Sequence, residues 1–251
     1  MHTIAAVGDE LRSASGRGGG CFFHEVLAAV FRVGGGRLQV LLWQRARPPF
    51  PGAWALPGGP LGPRERLGSS LGRHLATKVD LDQIAHLEQL ETRSDPDRDP
   101  RRRELATAYL ALVSTDLDAR VPADTTWHDV GRLPPMAFDH ASIVVSARER
   151  LRAKLTYTNI GFALAPSTFT VAELRDLYVA ALGHAVSATN LQRTLVRRGV
   201  IEPTSERALP TPVGGRPATL YRFVEDRLLV TNPFAAFRPP SPVGEEPVPA
   251  G

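Results

Sequence analysis

The chain has 251 residues, 43% of them apolar and 22% charged, with a formal net charge of +4, which is enough for one large or two small cores under an aqueous surface. Its single cysteine, Cys21, excludes an internal disulfide and any multi-cysteine metal site, and fits a reducing compartment. No apolar run approaches the ~20 residues that cross a bilayer, and Met1 to Gly20 lacks the basic start and apolar block of a secretory signal, so a cytoplasmic protein without a membrane partner is expected.

Residues 1–20 are polar, end in GRGGG and are expected to form a flexible arm. HEVLAAVFRV and RLQVLLWQR are branched apolar runs on either side of a GGG turn, and predict a hairpin. A short strand is expected over Trp54–Leu56, then a turn at Gly58 and Gly59. A helix over Arg64–Val79 follows, with Leu67, Leu71 and Leu75 on one face. Strands are expected over His86–Thr92, Leu105–Ser114 and Trp127–Val130, with the charged loop RSDPDRDPRRRE between the first two. A helix over Asp139–Leu155 closes the section, with Asp139 as N-cap and Ile143, Ala147, Leu151 and Leu155 in one stripe. Residues 21–156 therefore read as an α/β domain, a mixed sheet with helices on its faces.

From Tyr157 the pattern changes. FTVAELRDLYVAALG starts at a Thr170 cap, with Glu173 completing a capping box, and stops at Gly183. SATNLQRTLVRRG starts at Ser187 and stops at Gly199, and the strands VIEP and TLYRF enclose the loop PTPVGGRP. Helix, short turn, helix and hairpin is the order of a winged helix-turn-helix, assigned to residues 157–227. Residues 228–251 form a Pro-rich tail, expected to be disordered from Arg238 onward.

The window Ser187–Arg222 holds six arginines against two glutamates, a net +4. In its helix Ala188, Leu191 and Leu195 share an inward face, while Thr189, Arg193 and Arg197 fall four apart on another, with Asn190 beside them. Arginine pairs bidentately with guanine and asparagine with adenine in the major groove, and a helix N-terminus holds phosphate. The candidate contacts to double-stranded DNA are therefore Ser187, Thr189, Asn190, Arg193, Arg197, Arg198 and, in the wing loop, Arg216. The plainer alternative is a basic helix that serves solubility. No aromatic platform stands beside these arginines, which disfavours RNA.

The stretch from Gly58 to Asp80, GGPLGPRERLGSSLGRHLATKVD, resembles the Nudix box, G-x5-E-x7-R-E-U-x-E-E-x-G-U. Gly59, Glu65, Arg73 and Leu75 match, but His74, Thr77 and Lys78 stand at the three later glutamates and Asp80 at the last glycine. The resemblance implies a Nudix-like α/β/α sandwich. In that family the glutamates hold Mg²⁺ or Mn²⁺ against a diphosphate, as a hard ion requires. The altered box predicts no bound metal, no cofactor and no catalytic residue. What remains is a pocket: Arg45, Arg47 and Arg73 to neutralise a diphosphate, Trp54 or Phe50 to stack on a base, and Gly58 and Gly59 before a helix N-terminus to admit phosphate. Asp139 and His140 complete the candidate set. Each has a purely structural alternative: Trp54 as core, Arg73 as a brace for Glu65, the glycines as a turn, and Asp139 as a cap.

WALPGG with its altered box, AFDHASIVVSARERLRAKLTYTNIGFALAP, FTVAELRDLY and TNLQRTLVRRGVI together resemble the Nudix-related transcriptional regulators of bacterial NAD metabolism. The resemblance covers most of Phe22–Phe223. It implies a homodimeric repressor of NAD synthesis or salvage genes whose Nudix-like domain senses ADP-ribose, NAD or a related nucleotide. The alternative is an active hydrolase of the ADP-ribose pyrophosphatase type with an accessory nucleic-acid-binding domain. A third is an interaction module with neither activity.

Overall fold

The computed structural model describes residues 22–117, 121–208 and 217–232; the predicted arm, most of the predicted tail and Arg216 lie outside the described residues. Strand β1 (Phe23–Gly34) and strand β2 (Arg37–Gln44) form the predicted hairpin, turning through Gly35 and Gly36 at φ 57° and 71°. β3 (Trp54–Ala55) pairs with the end of β2. The glycine pair read as a turn is a short strand, β4 (Gly58–Pro60), antiparallel to Glu25–Leu27 of β1. Glycine permits this approach, because a Cβ at Gly58 would lie 2.1 Å from the Val26 carbonyl oxygen.

Helix α1 (Leu67–Val79) begins later than the predicted Arg64 because Glu65 turns back to accept from the Gly62 N–H at 3.0 Å. β5 (His86–Arg93) is antiparallel to β6 (Glu104–Leu112), which runs parallel to β1, and β7 (Thr125–Asp129) is antiparallel to β2. The seven strands form one mixed sheet. Helix α2 (His140–Tyr157) follows, and Asp139 occupies its N-cap position without a side-chain capping bond.

Alternation along β1 separates two cores. Val26, Ala28 and Val30 pack with Leu41 against Leu71, Leu75 and Val79 of α1. Leu27, Ala29 and Phe31 pack with Val40 and Leu42 against Ile143, Ala147 and Leu151 of α2. The second core does not stop at Tyr157. It continues through Phe169, Leu174, Leu177 and Tyr178 to Leu191, Leu195 and Ile201.

Past a 3-10 turn at Ile160–Ala163, helix α3 (Val171–Leu182) opens with the predicted capping box between Thr170 and Glu173 and ends at Gly183, φ 79°. It packs on α2 and also on β1 and β2. Helix α4 (Ala188–Arg197) starts at the Ser187 cap. β8 (Ile201–Arg207) runs further than the predicted VIEP and pairs antiparallel with β9 (Thr219–Phe223). Residues at the start of the predicted tail return to the joint between the halves. Asn159 Nδ2 donates to the Arg227 carbonyl at 2.8 Å, the Leu229 N–H donates to Asn159 Oδ1 at 2.6 Å, and the Thr231 N–H donates to the Tyr157 carbonyl at 2.9 Å.

Candidate ligand cavity and nucleic-acid face

A cavity of about 500 Å³ opens where β1, β2 and β4 meet the C-terminal end of α1 and the head of α2. Of the predicted ligand residues it gathers Arg45, Arg47, Gly58, Gly59 and His140. It adds Trp43, Lys78, Arg101, Arg102 and Phe138, which the sequence reading had not placed there.

The cavity's acids are already paired. Glu25 meets Arg98 at 2.9 Å and Glu104 meets Arg102 at 3.2 Å. Burial pushes the Glu25 carboxyl above its ordinary range, against the pull of Arg98. Arg101 is held by Asp99 at 2.6 Å. Three cations have no such partner: among the described residues Arg45, Arg47 and Lys78 form no ion pair. Arg45 Nε donates to the Pro49 carbonyl at 2.9 Å, and its guanidinium lies 4.8 Å from the Phe138 ring centre. Lys78 Nζ donates to the Gly58 carbonyl at 2.6 Å and lies 4.8 Å from the Trp43 ring centre. Burial pushes Arg45 and Lys78 below their ordinary values.

His140 is 2% exposed. Its Nδ1 lies 3.0 Å from the Leu56 N–H and accepts from it, so the neutral ring carries its proton on Nε2. Burial pushes this imidazole down to about 3, keeping it neutral. Nε2 has no partner among the described residues, which leaves one buried donor on a residue that lines the cavity.

Four predicted ligand residues, Phe50, Trp54, Arg73 and Asp139, stand outside the cavity lining. Trp54 packs edge-on against His128, ring centres 4.4 Å apart, and joins the α2-side core; Trp43 is the indole of the cavity. Arg73 grips Glu65 through two bonds of 2.7 Å, which hold that carboxyl down to about 2. Asp139 pairs with Arg98 at 3.0 Å. Phe50 meets Phe138 edge to face at 5.1 Å.

The altered box faces β4 with donors. His74 Nε2 lies 3.0 Å from the Pro60 carbonyl, one turn before Lys78. Thr77 Oγ1 donates back to the Arg73 carbonyl at 2.8 Å. A hard divalent ion needs several anionic oxygens, yet Glu65, Glu25 and Glu104 are each engaged by an arginine. Among the described residues no three His, Cys, Asp or Glu side chains cluster as a metal site. The residues present do not fit the metal that a Nudix box ordinarily holds.

In the second half, Leu191 and Leu195 bury the back of α4, while Thr189, Asn190, Arg193 and Arg197 are exposed on its front. Arg193 Nη2 donates to Asn190 Oδ1 at 2.9 Å, aligning the two side chains. Ser187 is spent on the cap, its hydroxyl 3.4 Å from the Asn190 N–H. Arg198 turns away from the front and donates to the Thr156 carbonyl at the end of α2, at 3.2 Å.

The NUDIX domain family matches residues 23–147, and the NrtR DNA-binding winged helix domain matches residues 161–223. The chain is 33% identical over 202 residues to the ADPR responsive transcriptional repressor NtrR of Acinetobacter baylyi, covering 78% of this chain and 79% of that one. It is 31% identical to Shewanella oneidensis NrtR in its crystal complex with a 27mer DNA, with a TM-score of 0.68, covering 79% of this chain and 92% of that one. Over 109 residues it is 32% identical to an ADP-ribose pyrophosphatase of Methanocaldococcus jannaschii, 42% of this chain and 63% of that one. With a Nudix sheet joined to a winged helix over this length and at this identity, the chain belongs to the NrtR family of Nudix-related transcriptional repressors.

Proposed function

We propose that this protein is a cytoplasmic, homodimeric repressor of NAD synthesis or salvage genes. It grips operator DNA through the front of α4 and senses ADP-ribose, or NAD or a related nucleotide, in the cavity beside Arg45 and Lys78. The response of the Acinetobacter repressor to ADPR and the 27mer DNA held by Shewanella NrtR support the two ligands. The observation that carries the reading is the path of α2. His140 at its head lines the cavity, and Thr156 at its far end is held by Arg198, the residue directly after α4.

The mechanism is linkage. A nucleotide that binds better to the arrangement unable to span two half-sites lowers operator affinity by that difference, typically ~1–3 kcal/mol. With His74, Thr77 and Lys78 in the altered box, the nucleotide is sensed and not hydrolysed, and no cofactor takes part. The likeness to the Methanocaldococcus pyrophosphatase favours a second reading, hydrolysis by the same domain; release of AMP from ADP-ribose with Mg²⁺ or Mn²⁺ would establish it. The direct test is fluorescence anisotropy on bound genomic fragments with ADP-ribose and NAD titrated in. Operator affinity is expected to change with one of them. Constant affinity through saturation by both overturns the proposal.

A further inference from the structure

In Nudix hydrolases a divalent cation, held by glutamates of this helix, supplies the positive charge that meets a diphosphate. Here the same helix offers Lys78 at one of those positions. Its ammonium is fixed from two sides, by the Gly58 carbonyl at 2.6 Å and by the Trp43 face at 4.8 Å. One turn earlier His74 meets the Pro60 carbonyl at 3.0 Å. Two β4 carbonyls that point at α1 are thus satisfied by side chains, which leaves them no demand for an ion.

An ammonium has three N–H donors, and one is committed to Gly58. Lys78 and Arg45 both line the cavity without a carboxylate in ion-pair contact, and a partly buried cation without a paired counter-charge is costly until an anion arrives. The third donor of the set is the unpartnered Nε2 of fully buried His140. Every acid of the cavity is already paired, so the uncompensated charge is positive.

We infer that Lys78 is a built-in replacement for the divalent cation: its ammonium, with Arg45 of the same cavity, meets the effector's diphosphate directly, so this site binds a nucleoside diphosphate sugar without metal. The inference rests on the reading of the cavity as the effector site. Lys78 acts here as a fixed single charge that orients phosphate. It offers no empty orbital to a phosphoryl oxygen, so binding is decoupled from bond cleavage.

Isothermal titration of the full chain with ADP-ribose, in EDTA and again in Mg²⁺, tests this. The wild type is expected to bind equally in both buffers. Lys78→Met loses roughly tenfold or more in affinity, the loss of one charge-assisted contact, and Lys78→Arg, which keeps the charge, loses less. Binding that appears only with Mg²⁺, or a Lys78→Met variant as tight as the wild type, overturns the inference and leaves the regulator reading standing. Absence of ADP-ribose binding in both buffers overturns the inference, while the regulator reading falls only if operator affinity also stays constant with NAD. The wild-type comparison does not depend on how well any variant folds.

Discussion

Arg98 and Asp139 are joined across a buried boundary, with Nη2 3.0 Å from one carboxylate oxygen and Nε 3.4 Å from the other. The Arg98 side chain is 1% exposed, and its remaining Nη1 reaches Glu25 of β1 at 2.9 Å. One guanidinium therefore ties the loop after β5 to β1 and to the head of α2. Removing it leaves two carboxylates without their counter-charge in a site where burial already pushes Glu25 upward. Arg98→Met is expected to cost about 3–5 kcal/mol, read as a lower urea midpoint. Asp139→Asn is expected to cost less, because Asp139 is 24% exposed and Glu25 keeps its partner.

The two exposed arginines of α4 are expected to fail differently. Asn190 aligns Arg193, which suits a base edge. Arg193→Ala should weaken the operator by about 1–3 kcal/mol and relax sequence preference. Arg197 lies one turn later, and Arg197→Ala should weaken all duplexes alike and reduce the slope of log affinity against log salt by about 1. Affinities for the operator and a scrambled duplex at several salt concentrations separate the two outcomes.

His140 makes stability depend on pH in a fixed direction. Its folded value is near 3 and the ordinary value is 6.5, so between them the unfolded chain binds a proton that the fold refuses. The contribution is fully present above about pH 6.5 and is lost as pH falls toward 3. From neutrality to pH 5 the loss is about 2 kcal/mol, with His74 and His128, both lowered by burial, acting in the same sense. His140→Gln should flatten this part of the stability curve, in a window where few carboxylates titrate. Denaturation midpoints at closely spaced pH values measure it.

The capping box at the head of α3 is a stability element. The Glu173 N–H donates to Thr170 Oγ1 at 3.2 Å, and Glu173 Oε2 accepts from the Thr170 N–H at 2.7 Å. Thr170→Ala removes the first bond and is expected to cost about 1 kcal/mol. Because α3 packs on β1 and β2, the loss should appear as a lower melting temperature of the entire described fold.

Much of the architecture is written in local pattern. The alternation in HEVLAAVFRV assigns residues to the two sheet faces, and the Thr170, Ser187 and Gly183 signals bound helices where the structure has them. The cavity is less legible. Which indole faces it depends on strand register, where one residue inverts every side chain, and so Trp43 lines the cavity while Trp54 does not. Gly58 and Gly59 carry no strand signal because β4 is held by its neighbour's backbone. Arg98 meets partners 73 and 41 residues away, a pairing that no spacing reveals. Lys78 was legible as a missing glutamate; that it occupies the cavity as a cation requires the Gly58 and Trp43 geometry.

The strand of chain that doubles back onto Asn159 has a mechanical meaning. With Leu229 and Thr231 fastened across it and apolar packing running underneath, the waist of the chain is buttoned shut and offers no free swivel. On the proposed linkage, a signal between the cavity and the front of α4 then travels as a whole-body tilt, the way a seesaw plank moves, and not as the folding of a wrist.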